Sequence, residues 1–356
     1  MKLESRSFLP VEVVFHPHWW HENYGIRFTE DFFFDPRTRV ESERRMRQIL
    51  HERFGDVGMG EEESKPRPVI GPVHNALGFV VPGILGCAVE FSPDASPQVI
   101  TANMSDEQIL ALEAPDLAET SPMKETIAVM DVLEAEFGYL EGDINWEGVQ
   151  NIALYLRGNQ LFVDYYENAP LARRLLDVVA RTCVAVAQYV RRRTGTSSIT
   201  VNRTVGSVDA RINLHSNCSV TMISNALYEE FLLPQENYLA ARLQPYGIHH
   251  CGGNMEHVLK GFAKVKECGF FDVGWGSDIA RCRAALPNAW FNLRLSPVKL
   301  QECTPAEVQA DVEKALLLSG PLQQASVCCI NIDSGTPDDN VRAIHEAVAR
   351  YRRYGA

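Results

Sequence analysis

The C-terminal half of the chain alternates strand-like and helix-like segments, and this alternation restricts the fold more than any other feature. SSITVNRTV (197–205) reads as a strand, and Tyr228–Leu243 carries apolar residues at helical spacing. PYGIHHCGG follows as strand and loop, MEHVLKGFAKVKE as helix, FFDVGWG as strand, and DIARCRAAL as a short helix opening on an acidic cap. WFNLRLSP, a helix entered at Thr304-Pro305, SVCCINID and a helix entered at Thr336-Pro337 complete the run. Threonine before proline marks a helix start: the hydroxyl caps the first turn and the ring presets its backbone angle. Repeated strand–helix units call for a parallel sheet covered by helices. The 356 residues contain no evident linker or internal repeat. The expectation is therefore one α/β domain over residues 1–356, a (β/α)8 TIM barrel whose strand C-termini carry the chemistry.

The first half is less regular. VEVVF (11–15) reads as a first strand, Pro36–Phe54 as a charged amphipathic helix, and residues 122–137 and 161–193 as helices, the second broken near Pro170. Residues 60–105 are rich in proline and glycine and read as an inserted loop and hairpin region, so residues 1–120 form an N-terminal elaboration of the barrel.

Charge and cysteine usage narrow the function. With 34 basic against 46 acidic residues the formal charge is −12, which repels phosphate backbones and argues against nucleic-acid binding. The N-terminus lacks the basic-then-apolar pattern of a secretion signal, and no apolar run reaches the length that crosses a bilayer. A cytoplasmic protein without membrane attachment is expected. Nine irregularly spaced cysteines do not form a disulfide framework. Cys87, Cys183, Cys218, Cys268, Cys282 and Cys303 are read as structural thiols.

The chemistry concentrates at His249-His250-Cys251-Gly252-Gly253. On an extended strand His249 and Cys251 point the same way, and His250 points away. The glycine pair lets backbone bend tightly at the strand end. One more soft ligand would complete a three-ligand zinc site with an open position, the arrangement of catalytic zinc. Cys328-Cys329 could supply it, although only one of two adjacent strand residues can face the same side; the other reading makes both buried core cysteines. Asp272, one strand further on, reads as a ligand, an orienter of His249 or a helix cap. Asn145, with Asp143 and Gly148, and His215 with Asn217 are further strand-end polar groups. The cluster His16-Pro17-His18-Trp19-Trp20-His21-Glu22-Asn23-Tyr24 reads as an aromatic wall over a pocket.

With these residues in view, the chain resembles the uroporphyrinogen decarboxylase superfamily, and within it the zinc-dependent corrinoid methyltransferases acting on methylamines, methanol and methoxyarenes. The resemblance runs from about Gly25 to the C-terminus. It is clearest in Gly142–Gly148, MISNALYEEFLLP (222–234), IHHCGG (248–253) and TPDDNVRAI (336–344). It implies zinc on His249, Cys251 and Cys328, with Cys329 as the alternative, and a corrinoid supplied by a partner protein, since no Asp-x-His-x-x-Gly cobalamin signature is present. The implied reaction moves a methyl group between a small O-, N- or S-methyl substrate, a methoxyarene foremost, and that corrinoid. Asp272, His215 and Asn145 are the expected catalytic side chains, and Trp19, Trp20, His21, Tyr24 and Asn217 the substrate contacts. The arginine-rich N-terminal segment with which uroporphyrinogen decarboxylase proper holds its substrate is missing. A metal-independent decarboxylase or lyase of that type, using Asp143, Asn145, His215 or Asp272, is the alternative. A homodimer is the assembly kept open.

Overall fold

The structure, a computed structural model, describes residues 7–71, 77–142, 144–195, 208 and 212–354. The expected strand at 197–205 and Asp143 lie outside these residues. Ten strands are described: β1 Val11–Phe15, β2 Val69–Ile70, β3 Ala88–Glu90, β4 Gln98–Ile100, β5 Glu141–Gly142, β6 Asn213–Ser216, β7 Tyr246–His249, β8 Cys268–Val273, β9 Trp290–Arg294 and β10 Ala325–Ile332. Six form one parallel sheet in the order β1-β10-β9-β8-β7-β6. β2 and β5 form a separate parallel pair, and β3 and β4 an antiparallel hairpin within the proline- and glycine-rich region.

The first strand pairs with the last, Val11 beside Val327 and Val13 beside Cys329, which is what a barrel does at its seam. The expected closed ring is not completed among the described residues: β2 and β5 are two residues long and pair only with each other. The result is an α/β fold with a barrel-like half of six parallel strands. Helices cover its outer face because the strands are buried on both sides and need an apolar layer there. Ile248, Phe271, Phe291, Leu293 and Val327 are each no more than 1 % exposed.

Local sequence accounts for most helix limits. Asp35 caps the helix Pro36–Phe54 by accepting from the Thr38 N–H at 2.7 Å, and Thr304 and Glu307 form a reciprocal capping box on Pro305–Leu318. The break expected near Pro170 falls at Asn168, between helices Gln160–Glu167 and Ala169–Thr194. The helix expected over Tyr228–Leu243 opens with a π turn, Tyr228–Leu232, followed by Leu233–Ala240. Pro234 explains the switch: it lacks an N–H for the Glu230 carbonyl, and Arg173 Nη1 donates to that oxygen instead at 2.9 Å. Among the described residues no helix is long and apolar enough to cross a membrane.

Candidate metal centre

The site is built where β6, β7 and β8 end. Pairing register places Ser216 beside His249, His249 beside Asp272, Asp272 beside Asn292, and Asn292 beside Ser326. Residues paired across parallel strands point to the same face, so a polar row crosses the inner surface of the sheet. Trp290 Nε1 donates to Ser326 Oγ at 3.0 Å, Ser326 Oγ to Asn292 Oδ1 at 2.8 Å, and Asn292 Nδ2 to Asp272 Oδ1 at 2.7 Å. Asp272 Oδ2 in turn holds Nδ1 of His249. Asp272 and Asn292 are fully buried and His249 is 3 % exposed. The imidazole is thereby fixed by its Nδ1 edge, which leaves Nε2 for another partner, the usual arrangement of a carboxylate behind a metal-binding histidine.

Cys251 follows His249 past the strand end, and Cys218 follows β6. Ligand atoms of Cys218, His249 and Cys251 all lie within 4.8 Å of one another. The Cys251 thiol is held far below its ordinary value, first by the hydrogen bond from Cys218 and then by His249, against the opposing effect of burial. Cys218 moves the other way, because it donates that bond and sits beside the resulting negative charge. The group thus sets a thiol biased toward its thiolate form beside a second thiol and an oriented imidazole. This soft, partly exposed donor set fits zinc.

The third member of this group differs from the expected one. Cys328 is fully buried and its Sγ accepts from Asn292 Nδ2 at 3.1 Å, while Cys329 Sγ faces the Leu295 carbonyl at 3.8 Å. Both belong to the polar row or the core, and burial raises both thiols. Cys218, read from the sequence as structural, takes the place expected of them. The reason is topological: β6 is the direct neighbour of β7, whereas β8 and β9 separate β10 from it.

Glu147 is the functional candidate that sequence reasoning passed over. It has positive φ (58°), a strained conformation for a side-chain-bearing residue. Asn145 Oδ1 accepts its N–H at 2.9 Å and Asn151 Nδ2 donates to its carboxylate at 3.3 Å. The next residue, Gly148, passes so close to the end of β6 that a Cβ there would stand 1.6 Å from the Ser216 carbonyl oxygen. The loop therefore delivers Glu147 to the cysteine–histidine group, where burial raises its carboxyl while His249 lowers it. The only trace in the sequence is a glycine directly after an acid in the Gly142–Gly148 segment.

Other expected site residues are placed differently. His215 faces the helix layer: Nδ1 meets Glu236 at 3.0 Å, Nε2 accepts the Val149 N–H at 2.9 Å, and the ring stacks on Trp146 with centroids 5.3 Å apart. Asn217 donates to the same Glu236 carboxylate. These two residues join strand to helix, and Asn145 holds the Glu147 loop. The aromatic wall is likewise corrected. His16–Tyr24 forms a capped helix, Pro17–Tyr24, in which Trp19 and Trp20 are 1 % and 4 % exposed. Trp19 packs on Phe15 (4.1 Å) and Trp20 (4.8 Å), with the Arg53 guanidinium 4.9 Å above its ring. Tyr24 hydroxyl accepts from Arg53 at 3.2 Å, and His21 lies 3.4 Å from Glu22. This helix continues β1, which three strands separate from β7.

Residues 78–351 match the family described as Uroporphyrinogen decarboxylase (URO-D). The chain belongs to the uroporphyrinogen decarboxylase family. Among solved structures it resembles a methyltransferase from Methanosarcina mazei, with a TM-score of 0.67 and 16% identity, over 97% of this chain and 94% of that one. A B12-independent methionine synthase from Shewanella sp. W3-18-1 aligns over 98% of both chains at a TM-score of 0.49 and 8% identity. No curated protein matches the sequence. The match to the uroporphyrinogen decarboxylase family covers every member of the centre, from Glu147 through Cys218 to Cys251.

Proposed function

We propose that this uroporphyrinogen decarboxylase family member is a zinc-dependent methyltransferase. In this reading it moves a methyl group between a small O-, N- or S-methyl compound, a methoxyarene foremost, and a corrinoid carried by a partner protein. It would do so at the mouth of a complete (β/α)8 barrel, and His249, Cys251 and Cys218 would hold the metal. The observation that carries the proposal is the Cys218–His249–Cys251 group, its ligand atoms within 4.8 Å of one another and the imidazole fixed from behind by Asp272.

Zinc, when bound, would polarise the oxygen or sulfur atom that loses or receives the methyl group. The protein's own part is orientation and charge. Asp272 holds His249 in one tautomer, with Asn292 holding Asp272. Glu147, with its carboxyl raised by burial, is placed to share a proton with a leaving oxygen or to serve as a further donor. The resemblance to the M. mazei methyltransferase supports a shared fold. The metal-independent alternative finds less support, because His215 and Asn217 are committed to Glu236.

Zinc analysis of the purified protein tests the assignment. About one zinc per chain is expected, lost in Cys218→Ala and Cys251→Ala and kept in Cys328→Ala. Full methyl transfer by metal-free protein would overturn the reading, and zinc loss confined to Cys328→Ala would overturn its ligand set.

A further inference from the structure

A cleft of about 530 Å³ opens beside the metal centre, between the helices Ile279–Ala285 and Pro305–Leu318 and the ends of β8 and β9. Its volume lies in the range of small-molecule sites, and no residue of the cysteine–histidine group lines it. Trp275, Leu295 and Ala315 give it an apolar wall, while Arg294, Lys299 and Lys314 bring three cations against Asp278 and Asp311. In a chain carrying −12 overall, a local excess of cations stands against the general charge.

These cations differ in how far they are committed. Lys299 Nζ is held by Asp311 at 2.9 Å, and no ion pair engages Lys314 among the described residues. Arg294 is 7 % exposed and its Nε has no hydrogen-bond partner, a costly omission for a buried guanidinium. Its Nη1 lies 3.8 Å from Asp272 and 3.5 Å from His249 Nδ1, so Arg294 stands between cleft and metal centre. Lys314 and the unpartnered Nε of Arg294, set near two carboxylates, suit a single negative charge better than a dianion, and the apolar wall suits a hydrocarbon body.

We propose that this cleft is a binding site for a small molecule with an apolar body and one carboxylate, distinct from the metal centre. The carboxylate meets Lys314 and Arg294, and the body lies against Trp275. Trp275 is 50 % exposed, whereas Trp19, Trp20, Trp146 and Trp290 are all 4 % or less, so accessible tryptophan emission reports on this cleft.

The test is a fluorescence and calorimetric titration of the whole protein with benzoate, benzyl alcohol and inorganic phosphate. Saturable binding of benzoate with a change in emission is expected, at least fivefold weaker in Lys314→Ala, with the optical change lost but the heat retained in Trp275→Phe. Benzyl alcohol and phosphate should each bind more weakly than benzoate. Cys251→Ala should bind benzoate like the parent, which keeps this outcome separate from the fate of the zinc assignment. No saturable benzoate binding, equal binding to Lys314→Ala, phosphate preferred over benzoate, or binding lost in Cys251→Ala would each overturn the proposal.

Discussion

His250 sits between the two expected metal ligands yet turns away from them, fully buried with neither ring nitrogen hydrogen-bonded among the described residues. Burial lowers it to about 4 from an ordinary 6.5. An unfolded chain takes up a proton near 6.5 while the folded one waits until about 4, so the unfolded state binds more protons between those values. Stability must fall as pH falls through that window, by about 3 kcal/mol from this group at full titration. Urea midpoints measured at pH 7, 5.5 and 4.5 should decline, and less steeply in His250→Gln. Gly274 belongs to the same contact: a Cβ there would lie 2.6 Å from His250 Nδ1 and 2.2 Å from the Gly252 carbonyl oxygen. Gly274→Ala should therefore displace the Cys251 loop and weaken zinc retention against a chelator, with the fold intact by circular dichroism. Asp272→Asn should weaken zinc binding roughly 10- to 100-fold, the usual effect of removing a carboxylate behind a ligating histidine.

The joints between elements are as specific as the metal group. Glu236, fully buried on the helix Leu233–Ala240, receives His215, Asn217 and Tyr246 at once. Burial raises its carboxyl, but His215 leads a larger opposing effect and keeps it ionised. Removing His215 would take one of three hydrogen bonds from that buried carboxylate, a loss of about 1.5–3 kcal/mol. His215→Ala is expected to lower the urea midpoint sharply while the fraction that remains folded still binds zinc. A catalytic His215 would give the reverse, normal stability with lost turnover. Thr304→Ala, at an exposed capping box, should cost only about 1 kcal/mol and leave zinc content unchanged.

Across the whole molecule, the pairing of β1 with β10 joins the two ends of the chain, and two ion pairs reinforce it: Arg53 with Asp338 at 2.7 Å and Arg342 with Asp56 at 2.8 Å. The sheet lacks its central seam until the last strand arrives, because β10 separates β1 from β9. A chain stopped before Ala325 should therefore fail to give a cooperative urea transition and should be degraded rapidly by protease, whereas trimming the residues after Arg352, which holds the Phe8 and Leu9 carbonyls, should not. The partly exposed ion pairs contribute modestly and are screened by salt, so the midpoint should change little with ionic strength.

The helical and strand segments were largely legible in the sequence. β1 and the helix Pro36–Phe54 fall on the expected residues, and Thr304-Pro305 opens its helix as cap and first residue, whereas Thr336 makes no capping bond among the described residues and its helix begins at Asp338, after Pro337. Periodicity and capping are local, acting over a few residues, and sequence records them directly. His249 and Asp272 were legible for the same reason, since strand alternation fixes which side chains share a face, and Cys251 follows two residues on, past the strand end. The partners of these residues were not. Cys218 was passed over and Cys328 preferred, because spacing along the chain says nothing about which strand lies beside β7. Trp19, Trp20, His215 and Asn217 looked like site residues because their chemistry suits ligands, yet packing committed them to Phe15, Arg53 and Glu236. The sequence by itself determined the parallel strand–helix repeat and the His249–Cys251 pair at the end of β7. Only the tertiary structure decided which thiol lies beside that pair and which buried polar groups serve the fold, since both depend on contacts between strands and helices distant in the chain.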